Sequence, residues 1–140
     1  MVRKILVPCL LLGTVPSAGA VDTPCLRYEP ASVVLKGKVK QVIFPGPPHY
    51  ASVQGGDRAE PCWVLYLPSS VCVEGNPKDY MNSETEKNVS ELQLIVLGRR
   101  KYRKLLGKSV SVKGRLLHAY TWHHHTSVLV QVERMKGGAN

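Results

Sequence analysis

Hydrophobic and polar positions alternate along much of this chain with the two-residue period of β-strands. The first such segment predicts a long strand with one buried face, formed by Val33, Leu35, Val39 and Ile43. Gly37 interrupts this segment, and a glycine inside a strand indicates a bulge or a sharp bend.

Shorter apolar runs predict the next strands, at residues 63–67, 71–73 and 92–97. Between the first two of these runs, Pro68-Ser69-Ser70 predicts a turn. The polar residues 75–90 predict a surface loop before the third.

A short helix and a hairpin complete the pattern. Residues 99–106 place Tyr102, Leu105 and Leu106 on one helical face, and Gly107 ends the helix. The predicted hairpin has Val110, Val112 and Leu116 alternating on one strand and Val128, Val130 and Val132 on the other. We expect residues 136–140 to be frayed.

This order of elements predicts a mainly β fold, a small five-stranded OB-like barrel with one short helix between strands 3 and 4. An immunoglobulin-like sandwich is the alternative. It requires about seven strands and offers no natural place for a basic helix.

The N-terminus resembles a secretory signal peptide over residues 1–20. Arg3 and Lys4 are followed by an apolar stretch and by small residues at positions 18–20. The apolar stretch is too short to cross a bilayer of about 30 Å. We therefore expect an exported, periplasmic or secreted protein, with residues 21–140 as a single domain.

The chain is basic, with a formal charge of +9 over 140 residues. Loss of Arg3 and Lys4 with the signal peptide lowers this charge to +7. Two basic groups are candidates for binding a polyanion: Lys36, Lys38 and Lys40 on the first strand, and Arg99, Arg100, Lys101, Arg103 and Lys104 on the helix. Candidate stacking residues are Trp63, Tyr66, Tyr120 and Trp122. A solvated basic surface without a ligand is the alternative.

Three cysteines remain after residue 20 in a compartment that permits disulfides. We predict a Cys25–Cys72 bridge, which would fix the N-terminal segment to the sheet and leave Cys62 as a small buried hydrophobic residue. A Cys62–Cys72 bridge across a hairpin is the alternative.

Histidines at 118 and 123–125 suggest a metal site, with His118 and His124 as candidate ligands. If Leu116 pairs with Val128, His118 faces Thr126 and His124 becomes a diagonal neighbour, about 7–8 Å away. Since no carboxylate or thiol lies nearby in sequence, a polar hairpin tip is favoured over a metal site.

Catalytic motifs are missing from the sequence: there is no Gly-x-Ser-x-Gly, no phosphate-binding glycine loop and no His-Glu-x-x-His. We therefore expect a noncatalytic binding module that needs no cofactor and binds an anionic envelope polymer or lipid. The alternatives are a protein-interaction or inhibitory factor that uses loops 45–60 and 75–90, and a metal-binding or pH-responsive protein that depends on its histidines.

The chain also resembles an exported bacterial family, domain of unknown function 4431. The resemblance rests on these motifs: Cys25-Leu26-Arg27-Tyr28-Glu29-Pro30, Gly46-Pro47-Pro48, Trp63-x-Leu65-x-Leu67, Cys72-Val73, Glu91-Leu92-Gln93-Leu94, Tyr102-Arg103-Lys104-Leu105-Leu106-Gly107-Lys108, Val110-x-Val112-x-Gly114, and His118-Ala119. It implies an exported bacterial protein whose cysteines at positions 25 and 72 belong to the family pattern, whereas Cys62 departs from it. It implies no activity.

Overall fold

A computed structural model describes residues 23–138. The predicted signal peptide and the last two residues lie outside the described part. Six strands form one sheet: β1 (Leu26–Arg27), β2 (Ser32–Pro45), β3 (Ala59–Glu74), β4 (Glu86–Ile95), β5 (Ser109–His118) and β6 (Val128–Gly137). Helix α1 (Arg99–Tyr102) continues as a 3-10 turn over Arg103–Leu105, and a second 3-10 turn covers Tyr80–Asn82.

Five of the strands close into a barrel-like ring. The sheet order is β1-β3-β2-β5-β6-β4, and β4 also pairs with β3. The β4–β6 pairing is parallel, whereas the other four pairings of the ring are antiparallel. The predicted mainly β class, with a short helix between the third and fourth strands of the ring, is confirmed.

The core fills the inside of this ring because alternate residues of every strand point inward. Its fully buried side chains include Val39, Leu65, Leu94, Leu116 and Val130. Buried Tyr102 anchors α1 against this core, and Leu105 and Leu106 pack beside it. Gly107, at a φ of 78°, then turns the chain into β5.

Strand β1 joins the ring at its edge and pairs in parallel with β3, Leu26 opposite Val73. The disulfide Cys25–Cys72 is formed immediately beside this pairing. Cys62 is a buried free cysteine, and burial raises the pKa of its thiol. The predicted pairing is therefore the one in the structure, and the Cys62–Cys72 alternative is wrong.

Two loop predictions are corrected. Pro68-Ser69-Ser70 is not a turn, because β3 continues through it to Glu74. The register of β3 against β4 shifts between Tyr66 and Val71, so Pro68 lies where its missing N–H is not needed by that ladder. The predicted loop 75–90 is shorter, because β4 begins at Glu86.

Strand β2 changes partners in its middle. It pairs with β5 from Ser32 to Lys38 and with β3 from Lys38 to Pro45. Gly37 lies at this change, and a Cβ atom there would collide with the carbonyl oxygen of Tyr66. This close approach of β3 explains why the position carries no side chain.

The Gly37→Ala substitution is expected to lower the free energy of unfolding by about 1–3 kcal/mol, because the added methyl group pushes two backbones apart. Gly137→Ala is the matched control, since its Cβ would lie 3.8 Å from Leu105 Cδ2, an ordinary contact. Urea unfolding of both variants measures the difference. Equal losses would show that the crossing of β2 and β3 is not tight.

Within residues 23–138, no helix combines the length and apolar character needed to span a bilayer.

Candidate functional site

A groove with a volume of about 740 Å³ crosses the outer surface of four adjacent strands. Each strand contributes a few residues: Lys36, Gly37 and Lys38 from β2, Tyr66, Leu67 and Pro68 from β3, Ser109, Val110 and Ser111 from β5, and Lys136 and Gly137 from the end of β6, with Gly138 directly after it. Among the described residues that line this groove there are three lysines and no carboxylate. We call it the lysine groove.

Strand pairing sets the positions of the three lysines. Lys36 pairs with Ser111, and Ser111 pairs with Lys136, so these residues form one row across three strands. Neighbouring strands lie about 4.8 Å apart, which places the backbones of Lys36 and Lys136 roughly 10 Å apart. Lys38 lies two residues along β2 and pairs with Ser109. Three ammonium groups therefore share one small surface, with serine residues between them.

Lys136 is a functional candidate that the sequence reasoning missed. It belongs to β6, which extends to Gly137, so the predicted fraying from residue 136 is wrong. The predicted register of the hairpin is wrong, because Leu116 pairs with Val130 instead of Val128. A bulge between Lys113 and Gly114 shifts the register again, and this second shift brings Lys136 opposite Ser111.

The remaining basic candidates lie around the groove or away from it. Lys40 lies over the half-buried ring of Tyr66, with Nζ 5.3 Å from its centre. Arg99 lies over Trp63 and donates to the carbonyl of Pro61, and Lys101 lies over Tyr102. Arg100, Arg103 and Lys104 are exposed. The helix cations are not among the residues that line the lysine groove.

The stacking candidates are separated by the fold. Trp63 is only 3% exposed and belongs to the core, which removes it from the residues that can stack on a ligand. Tyr66 lines the lysine groove. Tyr120 and Trp122 are exposed in the loop after His118, at the other end of β5. Val110 and His118 are eight positions apart on an extended strand, a distance of roughly 26 Å.

The two candidate metal ligands make separate contacts. His118 pairs with Val128, not with Thr126, and its Nε2 lies 3.0 Å from Glu86 Oε1. His124 Nδ1 accepts a hydrogen bond from the backbone N–H of Tyr120. Burial lowers the pKa of His124. Among residues 23–138, no group of three His, Cys, Asp or Glu side chains is arranged to hold a metal ion.

A polar cluster that the sequence reasoning did not predict joins the start of β3 to the loop 119–127. Glu60 contacts two histidines: Oε1 lies 2.7 Å from His123 Nδ1, and Oε2 lies 3.1 Å from His125 Nε2. Desolvation acts to raise the pKa of Glu60, but the hydrogen bonds from His125 and His123 outweigh it and lower that pKa. The ring of His125 also stacks on Phe44, with centres 4.4 Å apart.

Gln93, a residue of β4, holds the loop 119–127 through two hydrogen bonds. Its side-chain amide donates to the carbonyl of His123, and its oxygen accepts from the backbone N–H of His125. Periodicity along one strand cannot reveal such a cluster, because its strand residues and its loop histidines are thirty or more positions apart and meet only when the ring closes. An isolated glutamine in the apolar run 92–97 was the available signal.

Asp57 organises the loop 46–58. It is buried and accepts hydrogen bonds from the backbone N–H groups of His49, Ala51 and Ser52. The bonds from Ser52 and Ala51 are the main cause that lowers the pKa of Asp57 to about 2. A carboxylate is therefore the form that this loop requires.

We expect Asp57→Asn to lower the free energy of unfolding at pH 7, because an amide cannot accept all these hydrogen bonds. The ordinary pKa of 3.8 falls to about 2 on folding, so this stabilisation is complete above about pH 4 and is lost as the pH falls through 2. Urea unfolding at several pH values should show the two proteins converging below pH 4. A difference that is the same at pH 7 and pH 2 would contradict the role of the ionised carboxylate.

Comparison with known proteins identifies one family. Residues 91–136 match the family model described as Domain of unknown function (DUF4431), which confirms the resemblance predicted from the sequence. The matched residues run from β4 through α1 to Lys136, whereas the motifs between Cys25 and Val73 lie outside them. No curated protein and no solved structure matches the chain.

Proposed function

We propose that this protein is an exported, noncatalytic binding module that holds an anionic polymer of the cell envelope in the lysine groove. One observation carries the proposal: three lysines meet on one surface, and no carboxylate is among the described residues that line it. The ion pairs formed by lysine and arginine in the described chain use Arg27, Lys113 and Arg115 instead.

The three lysines concentrate positive charge on the surface of the groove. Lys36 and Lys136 lie in one row with only Ser111 between them, roughly 10 Å apart at the backbone, so their charges repel each other weakly. An anion placed among the three ammonium groups would remove this repulsion and form charge-assisted hydrogen bonds. The serine hydroxyls at 109 and 111 supply further donors on the same surface.

The use of lysine favours a polymer over one small, shaped ligand. Lysine is a compact charge on a flexible stem and imposes little geometry, whereas arginine recognises a planar anion with two parallel bonds. The groove crosses four strands, so a chain with repeated charges can contact all three lysines. The Cys25–Cys72 disulfide agrees with an oxidising compartment outside the cytoplasm.

The experiment is a binding titration of the chain with fluorescently labelled linear polyphosphate. Because each neutralised anionic group releases counterions, we expect a linear fall of log K with log salt and a slope near −2 to −3 between about 50 mM and 200 mM. Unlabelled neutral dextran is the negative control and should not compete. Absence of binding at low salt, or binding that does not respond to salt, would overturn the proposal.

A second arm separates a polymer from a lipid as the source of the anion. The same titration is made with vesicles of phosphatidylglycerol and, as a control, phosphatidylcholine. Strong binding to the anionic vesicles together with weak binding to polyphosphate would assign the groove to lipid headgroups and overturn the polymer form of the proposal.

A further inference from the structure

Exposed aromatic side chains are concentrated at the end of the ring that is opposite the lysine groove. Trp122 is 78% exposed and Tyr120 is 58% exposed. The ring of Tyr50, a half-buried residue of the loop 46–58, lies 6.0 Å from that of Trp122. We call these three residues the aromatic platform. Exposed aromatic rings grouped in this way mark a binding surface more often than single exposed residues do.

The platform is held in place by hydrogen bonds and ring contacts. The backbone N–H of Tyr120 donates to His124 Nδ1, and their rings meet edge to face, 4.7 Å apart. The Tyr50 hydroxyl lies 3.3 Å from Nε2 of His123, whose other nitrogen contacts Glu60. A ligand that binds to such a fixed surface loses little free energy in ordering it.

The polar side chain that anchors this end is an acid. Glu60 contacts His123 directly and His125 beside it. A glutamate carboxylate is ionised at neutral pH, so an anionic ligand here would meet an acidic side chain that two histidines contact. The chemistry is therefore the opposite of that in the lysine groove, and one ligand class does not suit both ends.

A neutral sugar fits these features. A pyranose ring has C–H bonds on one face that pack against the electron-rich face of an aromatic ring, and hydroxyls on its rim that need hydrogen-bond partners. Tyr120, Thr121 and Trp122 surround a shallow cleft of about 390 Å³ beside these rings. The hydroxyl groups of Tyr50, Tyr120 and Thr121 can donate hydrogen bonds to the sugar hydroxyls and accept hydrogen bonds from them.

We propose that the aromatic platform binds a neutral oligosaccharide, with Trp122 and Tyr120 stacking on sugar rings. The site is independent of the lysine groove, because about eight residues of β5 separate them. The protein thus has a neutral-sugar site at one end of the ring and an anion site at the other.

The two tryptophans make the test direct. Trp63 is buried and Trp122 is exposed, so a ligand on the platform changes the emission of Trp122. The chain is titrated with cellohexaose and maltohexaose, and separately with phosphatidylcholine vesicles. We expect at least one hexasaccharide to give a saturable change, with dissociation constants in the micromolar to millimolar range.

Variants then locate the site. Tyr120→Ala should weaken the saccharide at least about tenfold, the loss expected when one stacking ring is removed. Tyr80→Ala is the matched control, because Tyr80 is 93% exposed on the 3-10 turn Tyr80–Asn82. Lys36→Gln, Lys38→Gln and Lys136→Gln combined should leave sugar binding intact, which separates this site from the proposed anion site.

Three outcomes would overturn the proposal. The first is that neither hexasaccharide changes the emission up to about 10 mM. Any remaining affinity would then be weaker than specific binding requires. The second is that Tyr120→Ala and Tyr80→Ala behave alike. The third is that the vesicles alone give a response, because the aromatic platform would then be a membrane contact.

Discussion

Replacing Cys25 and Cys72 by serine is expected to lower the free energy of unfolding by about 4 kcal/mol. The bridge joins residues 47 positions apart, and in the chain-entropy model a closed loop of that length restricts the unfolded chain by this amount. The loss is a large fraction of the stability of a small domain. It also frees β1, whose described pairing involves only Leu26 and Arg27 of that strand.

Reversible urea unfolding of the chain, the double variant and the reduced chain measures this effect. The reduced chain should match the double variant, because both lack the same covalent link. Cys62→Ala is the control for loss of a buried sulfur and should cost about 1 kcal/mol. If Cys62→Ala costs as much as the double variant, the bridge in the protein involves Cys62 and the pairing is refuted.

Local periodicity in the sequence was sufficient to predict which faces of β2 and α1 are exposed or buried. The alternation around Lys36, Lys38 and Lys40 places all three on the outer face of β2, because successive side chains of a strand point to opposite faces. Leu105 and Leu106, which share a helical face with Tyr102, identify the buried side of α1 and its 3-10 extension. These features need no knowledge of the neighbouring strands.

What depends on register could not be predicted. The bulge at Lys113 and Gly114 adds a residue to one side of the β5–β6 ladder, and nothing in the alternation signals its place. Lys136 therefore could not be assigned to the row of Lys36 and Ser111. The burial of Trp63 was missed for a related reason, because its neighbours on β2 and β4 are fixed only when β3 pairs on both sides.

In the candidate site, too, the residues set by local periodicity were predicted and those set by strand register were not. Two of the three lysines that define the lysine groove were visible on β2, whereas the helix cations that the sequence joined to them do not line it. Net charge and charge runs show that basic surface exists, but not which residues share a concave surface. This difference makes the groove and the helix separable by substitution.

Neutralising the lysine groove by Lys36→Gln, Lys38→Gln and Lys136→Gln is expected to weaken polyphosphate binding by roughly 1,000-fold at about 50 mM salt. Each lost cation removes a counterion-release contribution of about 0.7–0.9 to the salt slope, and three such contributions give this factor. The slope itself should approach zero. All three side chains are exposed, so folding should be unaffected.

A matched variant on the helix distinguishes a site from general charge. Arg100→Gln, Lys101→Gln and Arg103→Gln remove the same net charge from exposed positions that do not line the groove. We expect less than about a tenfold loss, which is the long-range contribution of net charge alone. Equal losses in the two triple variants would mean that the chain attracts polyanions only through its overall charge. A larger loss in the helix variant would place the site on α1, where charge runs alone had suggested it.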